Sequence, residues 1–144
     1  MTSRGEPLWI CTTPESPWTR KSPKAARRAG KAGLRVTDAR HQAIEGFGGC
    51  FNELGWIALQ SLPATRRDQV LRALFDPRDG CRFTLCRLPI GASDYAAEWY
   101  SHNEHDGDYE MKRFSIERDR GCLIPYIRAA LKHRPDLKLF ASPW

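Results

Sequence analysis

The stretch Arg87-Leu88-Pro89-Ile90-Gly91-Ala92-Ser93-Asp94-Tyr95 decides how this chain is read. It closes an apolar run, Phe83 to Leu88, whose length and composition predict a buried strand. Pro-Ile-Gly is a turn signal, and a carboxylate and an aromatic ring follow it at the C-terminal tip of the strand. In parallel α/β architectures that tip is where ligands bind. Arg87 is the exception within the run, because a guanidinium stays charged and is almost never buried without a partner. An arginine on a core strand, followed by Asp94, points to a polar pocket.

Outward from this strand the chain alternates between two periods. Ala43 to Gly48 reads as a strand ending in Gly-Phe-Gly-Gly. Leu54 to Leu59 and Ala64 to Phe75 read as helices, with Ser61 and Pro63 marking a break and restart. In the second helix Val70, Leu71 and Leu74 share a face opposite Arg66, Arg67 and Arg72. Asp76-Pro77 and Asp79-Gly80 turn the chain into a strand over 82–88. A polar loop then runs from Gly91 to about Phe114. Ser115 is placed to cap a short helical start, with Glu117 and Asp119 near its positive end. Leu123 to Lys132 is an amphipathic helix stopped by His133-Arg134-Pro135, and Leu137 to Ser142 is a third strand. The order β-α-β-α-β with apolar strands predicts an α/β fold with a parallel sheet covered by helices. Pro7 to Thr13 and Leu34 to Thr37 read as two strands of a smaller β unit, which separates residues 1–41 from residues 42–144.

The sequence has 144 residues, of which 41% are hydrophobic and 28% charged, the balance of a globular chain with its own core. No run approaches the roughly 18 apolar residues of a membrane span. No apolar stretch follows the first residues as a secretory leader would require, so the expectation is a cytoplasmic setting. The five cysteines, Cys11, Cys50, Cys81, Cys86 and Cys122, contain no CxxC pair, so free thiols are expected rather than a disulfide framework or a zinc site. Arg20, Lys21, Lys24, Arg27, Arg28 and Lys31 equal the net charge of +6. They suggest either an arm for nucleic acid or a solvated loop. No aromatic residue interleaves with them, and the reading is a loop with no nucleic-acid partner.

Several motifs now agree in order and spacing: Gln42-Ala43-Ile44-Glu45-Gly46-Phe47-Gly48-Gly49, Arg87 to Tyr95, Gly107-Asp108, Phe114-Ser115-Ile116, Ile124-Pro125 and Ala141-Ser142-Pro143-Trp144. Together they resemble the N-terminal part of glycoside hydrolase family 30, the glucosylceramidase and endo-β-1,6-glucanase group. The resemblance runs from about Leu8 to Trp144. It implies the first part of a (β/α)8 TIM barrel, about three βα units, with N-terminal strands of a β-side domain over residues 1–41. It also implies a retaining β-glycosidase acting on a β-glucoside, glucan or glucosylceramide-like, that needs no cofactor and no metal.

By the same resemblance, Arg87 matches the barrel arginine that supports the nucleophilic carboxylate. Asp94 matches the aspartate that binds sugar hydroxyls in the glycone subsite. Tyr95 stands for a neighbouring aromatic, and Trp144 for a tryptophan lining that subsite. The chemistry suits these roles. A carboxylate accepts hydrogen bonds from a diol, an aromatic face suits the C–H face of a pyranose, and a fixed guanidinium keeps a carboxylate ionised. Retaining hydrolysis uses two carboxyl groups about 5–5.5 Å apart. The resemblance puts both catalytic glutamates after later strands, so no catalytic residue is expected in these residues.

Two Asn-Glu pairs imitate the family's acid/base motif, Asn52-Glu53 after the first strand and Asn103-Glu104 in the loop after the second. Their positions make Glu53 an early-helix residue and Glu104 a loop residue. His102, His105, Asp106 and Asp108 have the composition of a metal site, but they read as a solvated rim. Trp9, Trp18, Trp56 and Trp99 read as packing residues. The alternative function is a carbohydrate-binding remnant without catalysis, opposed by the uncovered edges that three parallel strands would leave.

Overall fold

A computed structural model describes residues 9–22 and 37–144, which divide into two compact units at the His41–Gln42 junction. In the N-terminal unit β1 (Trp9–Cys11) pairs antiparallel with β2 (Thr19–Lys21), Ile10 lying opposite Arg20. Thr13 and Ser16 exchange backbone hydrogen bonds in the connection, and the Thr12 hydroxyl accepts from the Trp18 amide at 3.0 Å. The partner of β1 is therefore a local return of the chain, which costs less loop-closure entropy than pairing with a distant segment. The expected partner over residues 34–36 lies outside the described residues. Arg20 and Lys21 stand on a strand rather than in the expected basic loop; Lys24, Arg27, Arg28 and Lys31 lie outside the described residues.

The second unit begins with an extended segment and then α1 (Glu53–Gln60) and α2 (Ala64–Phe75). The Asn52 side chain caps α1, its Oδ1 accepting from the Gly55 amide at 2.7 Å. At the end of α2 the Asp76 carboxylate accepts from the amides of Arg78 (2.8 Å) and Asp79 (3.0 Å), turning the chain toward β3 (Leu85–Ile90). The strand expected over 82–88 starts three residues later because Arg82 adopts a left-handed backbone (φ 61°). It continues through Pro89 and Ile90 because pairing with β4 (Lys138–Pro143) extends that far, from Leu85↔Lys138 to Ile90↔Pro143, in parallel. Gly91, at φ 81°, then turns the chain out of the strand.

The strand expected over 43–48 forms only in part. The segment runs beside β3 and bonds to it through Thr84 N–H to Phe47 O, Arg87 N–H to Gly49 O and Phe51 N–H to Arg87 O, with one parallel bridge, Cys50↔Arg87. Gly48 explains the irregularity. A Cβ there would fall 1.9 Å from the Leu85 carbonyl oxygen, so the backbones approach more closely than any side chain allows.

Between the two parallel strands run the loop 91–116, α3 (Glu117–Gly121) and α4 (Leu123–Leu131). The Ser115 hydroxyl accepts from the Glu117 amide at 3.2 Å in a local turn, but α3 has Ile116 at its N-cap position and no side-chain cap, so Ser115 lies one residue short of the capping position expected for it. Leu123 and Ala130 of α4 pack with Phe51, Leu71, Phe75, Cys86 and Leu137 in one core. Phe51 is its centre, stacked on Phe75 at 5.9 Å and edge-on to Tyr126 at 4.7 Å. Leu139 and Phe140 of β4 remain exposed, so helices cover only part of the strand pair. Among the described residues no helix is long and apolar enough to cross a membrane.

Candidate functional site

The C-terminal tips of β3 and β4 carry the residues singled out by the sequence. Parallel register sets Arg87 beside Phe140 and brings Ser142 forward to the guanidinium, where Arg87 Nε donates to Ser142 Oγ at 2.8 Å. Arg87 Nη1 lies 3.7 Å from the Cys50 sulfur, and its Cζ stands 4.9 Å from the centre of the Trp144 ring. Trp144 Nε1 in turn donates to Asp94 Oδ1 at 3.3 Å. Ser142, Arg87, Trp144 and Asp94 thus form one chain of contacts. Among the described residues no carboxylate lies within ion-pair distance of Arg87.

Asp94 and Trp144 line an open groove of about 290 Å³ together with Ala92, Ala97, Glu98 and Trp99. Tyr95 is not part of its lining. Its ring is exposed, and its carbonyl accepts from the Leu54 amide at 3.0 Å. Of the four expected site residues the structure therefore brings Arg87, Asp94 and Trp144 together and leaves Tyr95 outside the groove's lining.

Glu53 starts α1, as expected, but the sequence did not reveal what it holds. Glu53 is 8% exposed, and its carboxylate accepts from the Ala97 amide at 2.8 Å and pairs with Arg118 of α3 at 3.1 Å. Arg118 also reaches Glu98 at 3.2 Å and lies 4.6 Å from the centre of the Tyr100 ring. The Tyr100 hydroxyl donates to Asp119 at 2.8 Å; burial and that neighbouring carboxylate push its pKa well above the usual value. Cys122, beside Glu53, is likewise held as a thiol by burial and then by the carboxylate charge. The network ties the loop carrying Asp94 to α1 and α3. An acid at the first position of a helix was the only signal for it in the sequence.

The other candidates fall into place around this loop. Glu104 accepts from the Ser101 amide at 2.5 Å, closing a local turn. Asp108 accepts from Asn103 and from the amides of Lys112 and Arg113, and those bonds, led by Arg113, hold its carboxyl below the usual range. His102 faces Asp119 at 3.5 Å. Among the described residues no group of three metal-binding side chains gathers, and all five cysteines are free. Trp56 is buried, but Trp9, Trp18 and Trp99 are exposed, which corrects the expectation that they pack. The reason is positional: Trp9 and Trp18 belong to a two-stranded unit too small to cover them, and Trp99 lies in the loop over the groove.

The family described as the glycosyl hydrolase family 30 TIM-barrel domain matches residues 44–144. Putative glucosylceramidase 1 of Caenorhabditis elegans is 37% identical over 106 residues, covering 73% of this chain and 20% of the relative. Putative glucosylceramidase 2 of the same organism is 37% identical over 105 residues, covering 72% and 20%. Among solved structures, the endo-β1,6-glucanase BT3312 superposes with a TM-score of 0.67 at 25% identity, covering 72% of this chain and 22% of that one. SrfJ from Salmonella typhimurium does so with a TM-score of 0.74 at 28% identity, covering 94% and 31%. The chain thus spans about a fifth of the length of the curated relatives it matches.

Proposed function

The chain belongs to glycoside hydrolase family 30, and from that premise we propose that it supplies the glycone-binding part of a retaining β-glycosidase acting on β-glucosides, glucan or glucosylceramide-like. The observation that carries this reading is the contact chain Arg87–Trp144–Asp94 at the strand tips. Asp94 accepts hydrogen bonds from sugar hydroxyls, and Trp144 offers a flat apolar face to the ring. Arg87 presents an ionised fork, oriented by Ser142, toward the position of a nucleophilic carboxylate. Its role is to keep that carboxylate ionised and aimed at the anomeric carbon while a second carboxyl group protonates the leaving oxygen.

Both glutamates of this pair belong to later strands of the barrel, in the full-length protein. The 144 residues therefore supply part of the glycone subsite and are not expected to hydrolyse the bond by themselves. Release of aryl alcohol from an aryl β-glucoside is the test. The expected result is no turnover by this chain and turnover by a version carrying all eight strands. Turnover by the 144 residues alone would overturn the placement of the glutamates, and inactivity of the eight-stranded version would overturn the assignment.

A further inference from the structure

Resting on the sugar-binding reading of Asp94 and Trp144, we propose that Trp99 and Glu98 form a second sugar-binding position, so that the groove selects an oligosaccharide over a lipid-linked monosaccharide. Trp99 is 78% exposed and Trp144 66% exposed, and both line the same groove. Two indoles on one groove offer two flat apolar faces to a ligand laid in it.

The exposure of Trp99 is imposed by its neighbours rather than by slack in the loop. Ala97 donates its amide to Glu53, and Glu98 is held by Arg118. The Tyr100 hydroxyl is bonded to Asp119, and the Tyr100 carbonyl accepts from the Ala92 amide at 2.9 Å. With residues on both sides anchored, the indole is presented to the groove in advance, which lowers the ordering cost of binding.

The groove's chemistry selects the ligand. Flat indole faces match the C–H faces of pyranose rings, while the Asp94 and Glu98 carboxylates accept from hydroxyls. A hydrocarbon tail laid along the same surface would strip water from both carboxylates and return no hydrogen bond.

The test follows the indole N–H signals of Trp99 and Trp144 by ¹⁵N NMR, titrating this chain with methyl β-glucoside, hexyl β-glucoside and the β-1,6-linked disaccharide of glucose. The disaccharide is expected to move both signals and to bind about two- to ten-fold more tightly than methyl β-glucoside. Trp99→Ala should bring that ratio close to one, Trp99→Phe should restore part of it, and Trp18→Ala, in the other unit, should keep it. A disaccharide that moves Trp144 but not Trp99 overturns the proposal and leaves the glycone reading standing. An equal gain from the hexyl chain overturns the preference for sugar. Silence of both indoles with every sugar overturns the glycone reading as well.

Discussion

The Trp144 indole donates to the Asp94 carboxylate across 3.3 Å, joining two residues fifty positions apart at the tips of neighbouring parallel strands. The bond holds the ring and the acid in one groove, and Arg87, whose Cζ stands 4.9 Å from the centre of the same ring, completes the set. A hydrogen-bond acceptor and an apolar face fixed side by side are what a sugar ring needs, since each ring presents hydroxyls at its edge and C–H bonds on its face.

Asp94→Ala is expected to weaken binding of glucose-configured ligands by about 1.5–3 kcal/mol, the worth of a hydrogen bond to a charged group. Asp94→Asn keeps an acceptor for Trp144 and should lose less. Isothermal titration of both variants with methyl β-glucoside checks the order, and equal losses would deny the charge any part.

Glu53→Ala should free the loop over the groove. Arg118 is partly solvated, so the stability loss is set below the roughly 3–5 kcal/mol of a fully buried broken pair, at about 1–3 kcal/mol. The sharper readout is local. Hydrogen exchange at the Ala97 amide, now protected by the Glu53 carboxylate, should accelerate more than exchange in α2.

Gly48→Ala and Gly49→Ala should differ although the residues are adjacent. A Cβ at Gly48 meets the Leu85 carbonyl oxygen at 1.9 Å, whereas one at Gly49 meets nothing within 4 Å. Urea unfolding should show Gly48→Ala destabilised by about 1–3 kcal/mol or more, with Gly49→Ala near neutral.

Asp76 makes part of the stability depend on acid. Its carboxyl is held below the ordinary value of 3.8, first by the Asp79 amide and then by the Arg78 amide. A group with a lowered folded pKa contributes stability that is present above its unfolded pKa and is lost as pH falls through the folded value. Asp76→Asn should therefore flatten the decline of the urea midpoint below about pH 4, while leaving its slope near neutral pH unchanged.

Much of this was legible in the sequence because it is local. Periodicity and breaker residues placed α1, α2 and α4 within a residue or so, since helical hydrogen bonds and a core-facing stripe depend on near neighbours. The motifs also named Arg87, Asp94 and Trp144 before any geometry was known. Strand limits were harder, because pairing sets them: Pro89 and Ile90 belong to β3 only by virtue of β4.

The sequence by itself determined the helices, the free thiols and the family, and it singled out Arg87, Asp94 and Trp144 as residues to look for. Only the tertiary structure decided that Tyr95 stays out of the groove's lining, that Glu53 restrains the loop through Arg118, and that Trp99 joins Trp144 instead of packing inside. The physical reason is range. A helix is specified by neighbours three and four positions along, whereas the direction of a loop side chain depends on partners brought near only when the whole unit folds.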